Sequence, residues 1–179
     1  MREKMALRKS ILAAMFLAIG LILPFITMQI PAIGKILCPM HIPVLLCGYI
    51  CGWPYGLLIG FITPLFRGVL FGMPALFPNA VCMAFELATY GMITGILSAK
   101  MEKDIRSLYI SLITAMLCGR IVWGIVSAVV YASMGAGFTW KLFLMGGFIN
   151  ALPGILIQLI FIPSIVSRVY CVTRVEVWS

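Results

Sequence analysis

Residues 41–72 read HIPVLLCGYICGWPYGLLIGFITPLFRGVLFG, and Arg67 is the one Lys, Arg, Asp or Glu among them. A single helix of that length would be about 48 Å long, well beyond the hydrocarbon core of a bilayer at about 30 Å. Proline ends or kinks a helix at the residue before it. Gly52-Trp53-Pro54 therefore splits the run into two helices joined by a tight turn, over 41–52 and 54–71. The first of the pair is short, which suits a partly re-entrant or loop-capped segment.

The same alternation of apolar runs and breaks extends in both directions. Of the 179 residues 63% are hydrophobic and only 10% charged, too few charges to cover a water-soluble surface of this size. Toward the N-terminus a run over 10–28 is followed by a loop over 29–40 containing Pro31, Gly34 and Lys35. Toward the C-terminus, apolar spans are expected over 80–98, 108–131 and 142–166, the last kinked at Pro153 and Pro163. The expected fold is an all-α integral membrane protein, a single six-helix transmembrane bundle over 1–179. The basic start and first apolar run also fit a secretory signal, but a span-length run with further spans behind it reads as an uncleaved helix.

The net charge of +8 does not point to nucleic acid, because of where the charges stand. Arg2, Lys4, Arg8, Lys9, Lys100, Lys103, Arg106, Arg168 and Arg174 fall on one side of a six-crossing bundle, against Lys35 and Lys141 on the other. The positive-inside rule then puts both termini in the cytoplasm of a multi-pass cell-membrane protein. The outer loops are apolar and rich in Pro or Gly, which suits a lid over a ligand.

The six cysteines make no CxxC pair, and His41 is the single histidine, so packing thiols are expected and no metal or other cofactor. Gly48, Gly52, Gly56 and Gly60 recur at every fourth position, and Ala14 and Ala18 form a second small-xxx-small pair. Such spacing lets helices approach closely in lipid. For the glycines internal packing is the expectation. For the alanines, spacing does not choose between the bundle interior and another subunit.

Several of these segments together resemble a known family. The basic N-terminus, the Ala14-x-x-x-Ala18 helix, Ile42-Pro43-Val44-Leu45-Leu46-Cys47-Gly48 running into Gly52-Trp53-Pro54-Tyr55-Gly56, and Gly60-Phe61-Ile62-Thr63-Pro64 look like the substrate-binding S component of energy-coupling factor (ECF) transporters. The resemblance covers nearly the whole chain. It implies a membrane-embedded subunit that captures a vitamin or related micronutrient from outside. It also implies a transmembrane coupling subunit that contacts Ala14 and Ala18, and two ATPase subunits that drive uptake. The chain has no GxxxxGK[ST] phosphate loop, in keeping with that division of labour.

Polar residues within the spans are the candidate substrate contacts, because charge inside a bilayer is costly and usually functional. Arg67, Glu86 and Arg120 fall at depths that agree to within about 10 Å by helix rise. Glu86 is expected to pair with one arginine. The other would then need an anion, and a carboxylate accepting bidentate hydrogen bonds would supply it. Asn150 adds an amide, Asn79 either an amide or a helix cap, and Trp123 and Phe77 apolar faces; His41 is a helix-end residue or a contact. A carboxylate-bearing vitamin such as pantothenate, or a folate- or biotin-like compound, fits the extra positive charge. Glu86 keeps a neutral or cationic ligand open. An enzyme is disfavoured, since Glu86 has no second carboxylate, paired histidine or HExxH. A self-sufficient secondary carrier using Glu86 for proton coupling is the other class, disfavoured by the lack of an evident inverted repeat.

Overall fold

The computed structural model describes residues 2–25, 39–135, 137 and 139–176. Among them every regular element is helical: α1 (Arg2–Ile22) with a 3-10 turn (Leu23–Phe25), α2 (His41–Cys51), α3 (Trp53–Phe71), a π turn (Leu76–Ala80), α4 (Val81–Lys100), α5 (Ile105–Ser133), α6 (Trp140–Leu144) with a second π turn (Met145–Ile149), and α7 (Leu152–Glu176). Five segments are long and apolar enough to cross a membrane: Glu3–Phe25, Trp53–Phe71, Leu76–Lys100, Ile105–Ser133 and Trp140–Cys171. The sixth expected span is α2, whose 11 residues reach about 16 Å, roughly half the hydrocarbon thickness. The protein is an all-α membrane bundle.

The turn expected at Gly52-Trp53-Pro54 is present. Gly52 adopts φ 97°, donates its N–H to the Gly48 carbonyl at 3.1 Å, and hands over to α3 with Pro54 in the first turn. Only glycine takes that φ without strain. At the other end of α3, Gly72 is left-handed (φ 70°) and closes the helix through Gly68. The last span was expected to kink at Pro153 and Pro163, and it breaks just before the first of these. It is not one helix over 142–166, because α6 and α7 are separated by the π turn and by Asn150 and Ala151. Pro153 stands in the first turn of α7, where its missing N–H costs nothing, while Pro163 lies inside the helix. The loop read over 29–40 lies outside the described residues up to position 38.

Helices α3 and α4 run antiparallel at backbone contact. A Cβ on Gly56 would fall 2.4 Å from the Gly91 carbonyl oxygen, and one on Gly60 would fall 2.3 Å from that of Leu87. Gly48 of α2 presses on Gly91 and Thr94 in the same way. These bare surfaces let three backbones converge where water cannot drive association. α1 joins them through Gly20, which abuts Thr63 and Pro43. Ala13, Phe16 and Gly20 of α1 are buried, while Ala14 and Ala18 are exposed. The expectation left open for this pair thus gains a direction, since both alanines face away from the bundle.

The bundle has two unlike ends. α1 and α3 finish, and α2 and α4 begin, at the end that holds Arg67, His41 and Glu86. The opposite end carries Arg8, Lys9, Lys100, Lys103 and Arg106, and there Lys103 Nζ lies 5.0 Å from the centre of the Tyr170 ring of α7. Tyr49 near the end of α2 contacts Ser111 of α5 (2.7 Å between oxygens), so the short helix is still fixed at its C-terminal end.

Candidate functional site

Glu86 of α4 is the centre of the site. Its Oε1 accepts a hydrogen bond from Tyr90 Oη at 2.9 Å and faces Arg120 Nη1 at 2.8 Å and His41 Nε2 at 3.6 Å. The elements deliver these groups for simple reasons. Glu86 and Tyr90 are four residues apart, one above the other on α4. Arg120 comes from the antiparallel α5, and His41 is the first residue of α2. Gly119, beside Arg120, makes room for the tyrosine, since a Cβ there would fall 2.1 Å from Tyr90 Cε1. His41 and Tyr90 also touch ring to ring, with centroids 5.3 Å apart.

All four side chains are buried: Tyr90 1%, His41 and Glu86 2%, Arg120 6% exposed. Taking a carboxylate and a guanidinium out of water is expensive, and only close pairing with further hydrogen bonds compensates. At 2.8 Å the Arg120 contact meets that condition. The His41 contact at 3.6 Å is electrostatic rather than a hydrogen bond. Neither ring nitrogen of His41 makes a hydrogen bond among the described residues. Buried polar groups seldom go unpaired without a reason.

Arg120 continues into an aromatic group. Trp123, three residues on, is half-buried and stacks on Phe143 of α6 (centroids 6.2 Å apart, planes at 25°), and Phe143 stacks in turn on Trp140 at 5.1 Å. The glycine pair of the second π turn lies against this group. A Cβ on Gly146 would be 3.0 Å from Trp123 Cη2, and one on Gly147 would be 3.8 Å from Arg120 Cδ. The segment 140–150 thus packs over Trp123 and the stem of Arg120.

The other sequence candidates stand elsewhere. Arg67 is buried at 2% exposure but makes no ion pair among the described residues. Its Nη1 donates to the Leu21 carbonyl, and its guanidinium carbon lies 5.1 Å from the Phe25 ring centre and 5.4 Å from that of Phe71. Asn79 is exposed in the first π turn, and α4 has no side-chain cap at its start. Asn150 is exposed at the junction before α7, and Phe77 is also exposed. Tyr90 and Ser127 were not among the residues expected from sequence, although the spacing of Tyr90 from an intramembrane Glu was a usable signal. Cys82 of α4, expected as a packing thiol, lies on the face of Glu86, and Ser127 of α5 on that of Arg120. Among the described residues no group of three metal-ligating side chains occurs.

The site is a buried polar cluster near one end of a helical membrane bundle whose exterior is apolar. The family described as "ECF transporter, substrate-specific component" matches residues 8–166, and the chain belongs to it. Neither a curated protein nor a solved structure matches the chain. Membership makes it a substrate-binding subunit that works with transmembrane and ATPase subunits on a small-molecule substrate.

Proposed function

We propose that this subunit captures a water-soluble, carboxylate-bearing vitamin of the pantothenate type for ATP-driven uptake. The single observation that carries this reading is the gathering of Arg120 and His41 on one carboxylate, with His41 Nδ1 buried and unbonded. Glu86 offsets one positive charge and orients Arg120. A substrate carboxylate beside Arg120 and His41 would then bring a second anion to two basic groups. Trp123, next to Arg120, supplies an apolar wall. Arg67, held by Leu21, Phe25 and Phe71, fits a structural clasp better than a substrate contact; Asn79 and Asn150, both exposed, fit the rim.

The orientation that serves this function has the Glu86 end outside and both termini in the cytoplasm, supported by the basic residues gathered at the opposite end. Ala14 and Ala18, outward-facing on α1, fit a docking strip for the transmembrane coupling subunit of the importer, which two ATPase subunits drive. A self-sufficient proton-coupled carrier is disfavoured, because a proton on Glu86 would leave Arg120 facing a neutral acid in a low-dielectric interior.

The test is mass spectrometry of the small molecule retained after purification from rich medium, followed by tryptophan-quenching titrations with a vitamin panel. One retained carboxylate-bearing vitamin is the expected result. Folded protein that comes out empty and binds no member of the panel would overturn the capture reading.

A further inference from the structure

Ser127 lies seven residues beyond Arg120 on α5, on the same face and about 10 Å closer to the Ser133 end of the helix. It is 1% exposed, and its hydroxyl makes no hydrogen bond among the described residues. That is unusual for a serine inside a helix, where the hydroxyl commonly bonds back to the carbonyl three or four residues earlier. Thr63, Thr89, Thr94, Ser111 and Ser164 all do so in this molecule. The polar neighbour of Ser127 is the Cys82 thiol of α4, a weak donor and weak acceptor. Cys82 is itself one turn from Glu86, on the same face of α4.

The α4–α5 seam is therefore polar at two levels. At the inner level stand Glu86, Arg120 and the unbonded His41; at the outer level stands an unbonded hydroxyl beside a thiol. The fold offers the buried Ser127 hydroxyl only a weak thiol neighbour and no carbonyl of its own helix, which is unusual for a buried polar group.

We propose that Ser127 is a specificity-determining residue that hydrogen-bonds a hydroxyl or carbonyl of the substrate, about 10 Å from the carboxylate held at Arg120. The substrate is then an elongated, hydroxylated carboxylic acid lying along the α4–α5 seam, rather than a compact acid bound at Arg120 alone. This rests on the carboxylate reading above. Nothing in the local sequence marks it, because a serine among Val126, Ala128 and Val129 looks like any small helix residue.

The experiment compares wild type, Ser127→Ala and Ser127→Thr in detergent, with two probes: pantothenate and an N-acyl-β-alanine of the same length that lacks hydroxyls. Thermal melting confirms that each variant is folded. The expected result is that Ser127→Ala weakens pantothenate binding by about 5- to 10-fold, the worth of one net hydrogen bond. The hydroxyl-free acid should be unaffected, and Ser127→Thr should retain most of the affinity. Equal losses for both probes, or no loss for either, would overturn the role of Ser127 while leaving the carboxylate reading intact. Wild-type protein that binds neither acid would overturn both.

Discussion

Arg120 Nη1 stands 2.8 Å from Glu86 Oε1, with both side chains almost wholly out of solvent. Such a pair is asymmetric in its energetics. Removing one partner strands a buried charge, at a cost of roughly 3–5 kcal/mol, whereas replacing both with apolar groups of similar volume is often neutral. We expect Glu86→Leu and Arg120→Met each to lower the unfolding midpoint in detergent sharply. The double variant should recover most of the loss. Substrate binding should be absent in all three, because Arg120 is assigned to the substrate carboxylate. A double variant that binds like wild type would show the pair to be purely structural.

Arg67 predicts the opposite pattern. Its guanidinium closes the end of α1 by donating to Leu21, with Phe25 and Phe71 on its flanks. A cation at a helix C-terminus satisfies a carbonyl without an intrahelical partner and complements the dipole. Desolvated cation–π contacts add about 2 kcal/mol. Arg67→Ala should therefore destabilise the fold by about 2–3 kcal/mol while changing substrate affinity in the folded fraction by less than about threefold. Arg67→Lys should rescue only part of the stability, since an ammonium lacks the planar fork. A loss of affinity of tenfold or more (about 1.4 kcal/mol) in folded Arg67→Ala would place the arginine in the substrate site.

The glycines divide into those that hold helices together and those that do not. A Cβ at Gly60 would sit 2.3 Å from the Leu87 oxygen and 2.7 Å from the Ala88 nitrogen, backbone atoms that have no rotamer to escape into. Gly60→Ala should force α3 away from α4 and shift Glu86, which neighbours Leu87. At Gly72 a Cβ meets nothing within 4 Å, but φ is +70°. Alanine there should cost about 1 kcal/mol of backbone strain. Gly135 combines φ +70° with open space, as Gly72 does, so Gly135→Ala should cost a similar amount. Melting temperatures in detergent should fall furthest for Gly60→Ala and by similar, smaller amounts for the other two. A silent Gly60→Ala would refute the close approach of α3 and α4.

Much of this arrangement was legible in the chain. Apolar run lengths and the Gly52-Trp53-Pro54 break located α2 and α3, and the rarity of charge inside a span singled out Glu86 and Arg120. Which arginine pairs with Glu86 was not legible. Helix rise gives depth along the membrane normal, and Arg67, Glu86 and Arg120 share a similar depth. The pairing depends on which faces turn toward each other, and α3 meets α4 through Gly56 and Gly60 rather than through Arg67. Ser127 stayed hidden for a related reason, since what marks it is a missing hydrogen bond, and a missing bond leaves no trace in sequence. The break between α6 and α7 falls just before Pro153, where a kink was expected, but its form as a π turn was not legible. The Met145–Ile149 stretch is as apolar as a span, and its turn arises where Gly146 and Gly147 pass close to Trp123.

Ala14 and Ala18 offer the sharpest separation of binding from transport. Both are exposed on α1, whose opposite face buries Ala13, Phe16 and Gly20 against the bundle. Larger side chains at the two alanines would project outward and leave the interior contacts of α1 unchanged. In a partner interface built on close helix approach, however, each added side chain blocks the contact. Ala14→Leu/Ala18→Leu should therefore melt like wild type in detergent and bind the same substrate with the same affinity. Uptake by cells expressing the complete transporter should fall by at least tenfold, and the coupling subunit should no longer co-purify. Uptake at the wild-type rate would place the partner on another face, whereas loss of substrate binding in the isolated variant would mean that α1 shapes the site itself.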